Sequence, residues 1–279
     1  MEPLPHFCEP VGEFEHASHR TRAVERWQHG AEVHALDQVA EEVPIAMVYN
    51  GISHAVMLAT PASLESFALG FSLAEGILHD RRELYDLEIV QRREGVELYM
   101  TVAQERFIAL KNRRRNLAGR TGCGLCGTES LQQVMRTTAP VESDLRLHPQ
   151  TVHAALASLP GHQSLQALTG AAHAAAWVLP AGVIQYCEED IGRHNALDKL
   201  IGTLAAHNAD PRQGFVIVTS RASYEMVQKC ATVGIAVLVA VSAPTSFAID
   251  LAQQSGMTLA GFARGNGHVV YAHSQRFIE

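Results

Sequence analysis

The sequence lacks the marks of several common classes of protein. In its 279 residues no apolar run approaches the roughly eighteen residues of a membrane helix. Residues 1–20 have neither the basic start nor the apolar core of a secretory signal. Only 18% of the residues are charged and the net charge is -7, which argues against a chain that coats nucleic acid. We therefore expect a soluble cytoplasmic protein with no membrane or nucleic-acid partner.

The motifs of several enzyme classes are also absent. The chain contains no G-x-x-x-x-G-K-[ST] phosphate loop and no G-x-S-x-G nucleophile elbow. It also lacks the His-x-Glu of the zinc deaminases. These absences exclude P-loop NTPases, serine hydrolases built on that elbow, and zinc deaminases.

Cysteine is scarce, and two of the five cysteines lie in one glycine-rich segment. Cys123 and Cys126 occur in TGCGLCG at residues 121–127, directly after a run with five Lys and Arg residues at positions 111–120. Neighbouring cations favour the reactive thiolate, and glycines give the backbone freedom. The pattern favours a sulfur-carrying nucleophile. Cys123 is nearer the arginines and is the predicted nucleophile, while Cys126 would assist sulfur release by thiol exchange.

Two other interpretations of this Cys-x-x-Cys pair stay open. A structural zinc site needs four ligands, so one pair supplies half of a site and two chains would have to meet around the metal. The pair could also be incidental thiols in a glycine loop. An odd number of cysteines without a secretory signal indicates free thiols in a reducing compartment, and we predict no metal site within the chain.

Composition and hydrophobic periodicity divide the chain into four parts. Residues 1–40 are polar and rich in histidine, and are predicted to form a flexible arm. Residues 41–136 are predicted to be an N-terminal α+β region that ends in the cysteine loop, and residues 137–149 a linker. In residues 150–279 strands alternate with helices, and the short apolar runs are typical of strands buried on both faces. We predict a three-layer α/β sandwich with a mixed sheet there.

The N-terminal region is predicted to begin with a hairpin and a helix. Strand-like runs occupy residues 43–49 and 52–59, and Asn50-Gly51 between them is a strong signal for a tight turn. Thr60-Pro61 then predicts the N-cap and first residue of a helix that extends to about Leu78.

Three polar segments follow strands of the predicted C-terminal sheet, where ligands of open α/β sheets bind. Residues 219–223 and 242–246 each end a strand and open a helix, which attracts anions, although for each segment alone ordinary capping by Ser and Thr is the better explanation. The third segment is a candidate cofactor loop in which Arg264 suits phosphate. A plain hairpin turn is the alternative there. This loop consists of Phe262, Ala263, Arg264, Gly265, Asn266 and Gly267.

Residues 188–195 are rich in ionisable side chains just before a predicted helix. Arg193 and His194 are candidates to line a pocket, although a solvated or capping role is the better explanation for each residue alone. Cys187 and Cys230 fall in apolar strand and helix contexts, and both are predicted to be core residues.

Five long motifs carry a resemblance to a known family. They resemble, in order along residues 41–279, the formate dehydrogenase accessory sulfurtransferases of the FdhD family. The resemblance implies a sulfur carrier. A cysteine desulfurase of the IscS type would load a persulfide onto the cysteine loop, and the sulfur would pass to the molybdenum or tungsten bis-pterin guanine dinucleotide cofactor before it enters formate dehydrogenase. The motifs are EVPIAMVYNG (42–51), FALGFSLAEG (67–76), RTGCGLCG (120–127), EDIGRHNALDK (189–199) and SRASYEMVQK (220–229).

The resemblance also assigns residues. Cys123 matches the family's persulfide position and Cys126 its second loop cysteine, while residues 262–267 match the segment assigned to cofactor binding. Residue types vary in that segment, so contacts are expected from its backbone. The family implies a cytidine-deaminase-like core without catalytic zinc, and a homodimer. The alternative function is a non-catalytic chaperone that binds the cofactor or the dehydrogenase and uses the cysteines for docking.

Overall fold

Two separate hydrophobic cores organise the chain. One joins buried residues of the N-terminal strands and first helix, and the other joins the C-terminal sheet to the helices around it. The computed structural model describes residues 16–115 and 139–278. No helix in these two ranges is long and apolar enough to cross a membrane.

The N-terminal part contains two sheets and two helices. One sheet is a separate two-stranded ribbon of β1 and β2, and the other has four strands in the order β4-β3-β6-β5 with β3 and β6 parallel. The predicted strands at residues 43–49 and 52–59 are confirmed as β3 and β4. The elements are β1 (His19–Gln28), β2 (Ala31–Ala40), β3 (Val43–Tyr49), β4 (Ile52–Ala59), α1 (Leu64–Ala74), β5 (Leu84–Arg92), β6 (Gly95–Val102) and α2 (Gln104–Arg115).

The C-terminal part is built on a six-stranded sheet in the order β12-β11-β10-β9-β7-β8. Its helices are α3 (Pro149–Ser158), α4 (Ser164–Thr169), α5 (Arg193–Ala206), α6 (Tyr224–Thr232) and α7 (Ser246–Gln254). Its strands are β7 (His173–Val178), β8 (Ile184–Asp190), β9 (Phe215–Val218), β10 (Val237–Ala240), β11 (Thr258–Arg264) and β12 (Gly267–Ala272).

The predicted mixed sheet is confirmed in this part. β9, β10 and β11 are parallel, whereas β7 and β12 run antiparallel to their neighbours. Every residue of β9 and β10 is buried, so both faces of the sheet are covered, as their continuous apolar sequences predict. α6 and α7 are crossovers between neighbouring parallel strands, so both begin at the edge where the strands end.

The prediction of a flexible arm over residues 1–40 is wrong for residues 19–40, which form the antiparallel ribbon β1–β2. His29 and Gly30 make the connecting turn with φ of 52° and 81°. Positive φ at both central residues is the geometry that fits the twist of a two-residue hairpin. The signal is weak in the sequence because His-Gly is an unusual pair for this turn.

The predicted start of the first helix is also wrong. α1 begins at Leu64, and Thr60 is fully buried between the two halves of the chain. Its backbone N–H donates to Asp190 Oδ2 at 3.0 Å, and its carbonyl accepts from Lys199 Nζ at 3.0 Å. The backbone groups of Thr60 are therefore bonded to residues distant in sequence, although its local sequence predicts a helix cap.

The described part of the predicted linker packs against the C-terminal core. Val141, Leu145 and Leu147 are buried in that core. The Val141 N–H donates to the Ser255 carbonyl at 2.8 Å, and Leu147 pairs with Phe277 in a short parallel bridge. The two prolines and the polar residues of this stretch predict a linker. Its three apolar residues are recognised as core residues only in the folded chain.

Helices α1 and α5 cross at two glycines. A Cβ atom added at Gly70 would lie 1.7 Å from the Asp198 carbonyl oxygen, and one at Gly202 would lie 1.8 Å from the Ser66 carbonyl oxygen. Each glycine therefore touches the backbone of the other helix. Only residues without a side chain permit this approach.

A buried ion pair lies beside this crossing. Lys199 Nζ is 2.7 Å from Asp190 Oδ2, and both side chains have no exposed surface. Asp190 also accepts from the side chain of Asn195 and the N–H of Gly192, so its oxygens are satisfied. Burial lowers the pKa of Lys199, whereas Asp190 acts in the opposite direction. The pair ties the segment after β4 to α5.

We predict that Gly202→Ala strongly destabilises the protein, because the new methyl group requires the two helix backbones to separate. Overpacking of this kind costs about 3 kcal/mol. Urea unfolding would measure the loss. Gly161→Ala is the matched control, since nothing lies within 4 Å of a Cβ there, and it should change stability by less than about 0.5 kcal/mol. Equal stability of both variants would show that the crossing is not tight.

Candidate functional site

The two predicted sulfur-carrying residues, Cys123 and Cys126, lie outside the described residues. The chain is described up to the end of α2 at Arg115 and again from Ala139. Ala139 lines a cavity of about 800 Å³ between the two halves of the chain. The end of α1, the end of α5 and the end of α6 form its other walls.

The two cysteines that the structure describes are poor nucleophiles. Cys230 is fully buried in α6, and Cys187 lies half-buried on β8 against the C-terminal core. Burial raises the pKa of Cys230 to about 12. Burial, together with the charges of Glu189 and Glu188, raises the pKa of Cys187 to about 12. Both thiols stay protonated at neutral pH. The prediction of a core residue is confirmed for Cys230, whereas Cys187 is only partly buried and packs against the core.

The candidate cofactor loop spans the end of β11 and the start of β12. Gly265 and Asn266 form a two-residue turn, with Arg264 paired to Gly267 across it, so the hairpin alternative is confirmed as geometry. The ladder is irregular just before the turn, and Phe262 has a φ of 50°. A non-glycine residue with positive φ is uncommon, and at Phe262 it coincides with the irregularity in the ladder between Gly261 and Arg264.

The three polar segments lie together at one edge of the sheet, as predicted. The Phe262 N–H donates to the Ser242 carbonyl at 3.1 Å, which joins β11 to the segment after β10. The Thr245 N–H donates to the Ala222 carbonyl at 3.0 Å, which joins that segment to the one after β9. A Cβ atom at Gly261 would lie 2.7 Å from Pro244 Cδ, so glycine is required for this close packing. We call these three segments the strand-end cluster.

Two helices begin in the strand-end cluster. Thr245 caps α7, because its hydroxyl accepts from the Ala248 N–H at 3.3 Å, so ordinary capping is confirmed at this residue. Ser223 occupies the N-cap position of α6 but makes no side-chain cap. Its buried Oγ has no hydrogen-bond partner among the residues that the structure describes. A free hydroxyl beside the open N–H groups of a helix start can receive an anion.

An aromatic pair links the starts of these two helices. The rings of Tyr224 and Phe247 stack with centroids 4.2 Å apart and an angle of 10° between their planes. Tyr224 is buried, whereas Phe247 is 38% exposed. Analysis of the sequence missed this pair, because the only local signal is an aromatic residue after a Ser or Thr cap in each segment. The partly open ring of Phe247 is a surface on which a flat base can stack.

Positive charge borders the strand-end cluster. Arg221 and Arg264 are both exposed, and the Arg264 guanidinium lies 5.9 Å from the centroid of the exposed Phe262 ring. Guanidinium groups bind phosphate through two parallel hydrogen bonds. The cluster therefore combines cations, two helix N-termini and a partly exposed aromatic ring, which are groups that can bind an anion or stack on a flat ring.

The ionisable residues at 188–195 have mainly structural roles. His194 Nε2 lies 2.8 Å from Glu225 Oε2, and hydrogen bonding to His194 lowers the pKa of Glu225. Lys229 forms a second buried network, at 2.8 Å from Asp198 and 2.9 Å from Glu75. The contact between His194 and Glu225 joins the start of α5 to α6, whereas a place in a pocket for Arg193 and His194 stays a prediction.

Comparison with known proteins identifies relatives over most of the chain. The model of the FdhD/NarQ family matches residues 40–278. A protein of Cupriavidus necator named "Sulfur carrier protein FdhD" is 58% identical over 266 residues, which cover 95% of this chain and 92% of that protein. A protein of the same name from Acinetobacter baylyi is 52% identical and covers 85% of this chain and 86% of its own length.

A solved structure shows the same fold. The crystal structure of a formate dehydrogenase accessory protein from Desulfotalea psychrophila superposes with a TM-score of 0.73 and 23% identity. The match covers 93% of this chain and 99% of the other. The motifs, the mixed α/β fold and the relatives all indicate the same family. The chain belongs to the FdhD/NarQ family.

Proposed function

We propose that this protein is a sulfurtransferase that takes persulfide sulfur from a cysteine desulfurase of the IscS type. It passes the sulfur to the molybdenum or tungsten bis-pterin guanine dinucleotide cofactor before the cofactor is inserted into formate dehydrogenase. The observation that carries the proposal is the TGCGLCG motif in a chain 58% identical to a protein named as a sulfur carrier. The protonated state of Cys187 and Cys230 supports it, because the chemistry is left to other thiols.

Loading is a thiol exchange that balances without an added oxidant. The Cys123 thiolate attacks the outer sulfur of the desulfurase persulfide. The sulfur–sulfur bond of the donor breaks, a new one forms on Cys123, and the donor cysteine leaves as a thiolate. The sulfur keeps its oxidation state in this step.

Release of the sulfur as sulfide requires two electrons. The Cys126 thiolate attacks the inner sulfur of the Cys123 persulfide, and hydrosulfide leaves as a disulfide forms between the two cysteines. The cofactor accepts the sulfide. A cellular thiol reductant then returns both cysteines to thiols for the next cycle.

The strand-end cluster fits the cofactor that would receive the sulfur. Each guanine dinucleotide half of the cofactor carries phosphates and a purine, so it needs anion sites and a stacking surface. The start of α6, with the free Ser223 hydroxyl, offers N–H donors for phosphate. Arg221 and Arg264 add positive charge, and Phe247 offers a ring. Residues 262–267 would contribute mainly backbone contacts.

The chaperone alternative rests on the same cluster. A nucleotide site at the end of the sheet is sufficient to hold the cofactor, whether or not a cysteine carries sulfur. Under this alternative the protein would bind the cofactor or formate dehydrogenase without a persulfide. The proposed partners of the sulfurtransferase are the desulfurase, the dehydrogenase and a second copy of this chain in a homodimer, whereas the chaperone would not need the desulfurase.

Incubation with a cysteine desulfurase and cysteine should add one sulfur to the wild-type protein. Intact mass spectrometry would detect it, a reductant should remove it, and Cys123→Ala should not acquire it. Cys230→Ala is the matched control and should load normally. If the Cys123→Ala protein still restored formate dehydrogenase activity in cells that lack the wild-type protein, the chaperone would replace the sulfurtransferase.

Alkylation by iodoacetamide at pH 7.5 should spare Cys187 and Cys230. A pKa of about 12 leaves very little thiolate, so we expect labelling at least about a hundredfold slower than in the chain unfolded with guanidinium. Peptide mapping by mass spectrometry would assign each site. Rapid labelling of Cys230 in the native protein would mean that α6 opens and that this thiol is available for sulfur chemistry.

Phe247→Leu should weaken the binding of GDP, which stands for the nucleotide end of the cofactor. Base stacking on an aromatic ring contributes about 1–3 kcal/mol, so Kd should rise about fivefold to 150-fold. Phe247→Tyr should keep the affinity, and Tyr85→Leu, at an exposed aromatic residue of β5, should leave it unchanged. Calorimetry at constant salt would measure all four proteins. Equal affinity of wild type and Phe247→Leu would remove Phe247 from the site.

A further inference from the structure

The ribbon β1–β2, which we call the arm, makes few contacts with the rest of its chain. Among the described residues its strands pair only with each other. It is held near its base, where the Glu41 N–H donates to the Ser18 carbonyl, His16 contacts the Arg92 carbonyl, and α4 touches β2. Two strands alone are at best marginally stable in water, so a ribbon of this length needs a further surface.

The arm carries large apolar side chains that its own chain leaves open. Leu36 is 72% exposed and Trp27 69%, and Val33 is 48% exposed. The register places Trp27 and Leu36 on one face of the ribbon and Val33 on the other, since Arg26 pairs with Val33 and Ala23 with Leu36. Apolar residues on both faces of a projecting ribbon indicate a protein partner.

A second open apolar surface lies on the four-stranded sheet. The inner face of this sheet packs against α1, whereas the outer face exposes Val56 and Leu58 of the edge strand β4 at 62% and 55%. The register supports this assignment, because Met57 between them faces the core. Exposed apolar side chains on the outer face of a sheet form a surface on which another chain can pack.

The two surfaces have opposite charge. One face of the arm carries Arg20, Arg22 and Arg26 beside Val33 and Val39, and Asp37 lies on the same face. Arg26 pairs with Asp37 and Arg20 with Glu41, so the face keeps a net positive charge that is smaller than its three arginines alone would give. The outer face of the sheet carries Asp86 and Glu88, both exposed on β5. The positive face of the arm therefore matches the acidic outer face of the sheet, on which the carboxylates lie on β5 and the exposed Val56 and Leu58 lie on β4 at the other edge.

We propose that the arm of one chain lies on the outer face of the four-stranded sheet of a second copy, and that the second arm does the same in return. Each chain carries both surfaces, so a two-fold axis between two chains pairs each arm with the sheet of the other chain. This is the usual symmetry of homodimers. The inference rests on the homodimer proposed above and specifies its interface.

Light scattering coupled to size exclusion tests the interface on the full-length chain. The wild type should have twice the 30.3 kDa mass of one chain. An arm variant, Val33→Glu with Leu36→Glu, changes both faces of the ribbon and should be a monomer, as should the sheet variant Leu58→Glu. Val183→Glu is the control, at a residue 58% exposed between β7 and β8, and should stay dimeric.

Mixing the two monomeric variants gives the sharper test. The sheet variant keeps an intact arm and the arm variant keeps an intact sheet, so the mixture should form a heterodimer through one of the two contacts, more weakly than the wild type dimerises. No heterodimer at any attainable concentration, or a dimeric arm variant, would overturn the proposed interface and leave the sulfurtransferase proposal standing. A monomeric wild type would overturn the homodimer itself.

Discussion

The contact between α1 and α5 is the constraint on which the rest of the structure depends. Gly70 and Gly202 let the two helix backbones touch, and this approach brings the segment after β4 against the start of α5. Asp190 and Lys199 are then buried as a pair with their remaining hydrogen bonds satisfied. Loss of one partner in such a pair costs about 3–5 kcal/mol, because the other charge stays buried alone. The two cores are thereby held as one body.

The strand-end cluster depends on the rigidity of that body. Its three segments have little regular structure of their own, but backbone hydrogen bonds join each to the next at the ends of β9, β10 and β11. The starts of α6 and α7 add free N–H groups, and Lys229 anchors α6 to α5 through Asp198. Burial raises the pKa of Asp198 to about 6, although Lys229 acts in the opposite direction. Ion pairs inside the body thus fix the helix whose first turn faces the proposed ligand.

Much of the fold could be predicted from local patterns, for physical reasons that differ by element. β3 and β4 follow from residues 43–59, since an Asn-Gly turn and the flanking apolar residues specify a hairpin with no help from elsewhere. β9 and β10 follow from their continuous apolar sequences. Thr60 fails as a helix cap because Asp190 and Lys199, far away in sequence, take its backbone groups. The Tyr224–Phe247 stack was unpredictable, since two helices must be placed before the rings can meet.

The sequence by itself determined the family, the mixed sheet and the positions of the Cys-x-x-Cys motif and of the candidate cofactor loop, because each is written in contiguous residues. The tertiary structure decided the properties that depend on contacts between residues distant in sequence. It set the high pKa of Cys187 and Cys230, which comes from burial, and it placed His194 of one helix beside Glu225 of another. It also showed that the two capping positions differ. The Ser223 hydroxyl has no hydrogen-bond partner among the described residues, whereas Thr245 caps its helix. Burial of a thiol, contacts between side chains of different helices and hydrogen bonds between the ends of neighbouring strands arise only when the chain is folded.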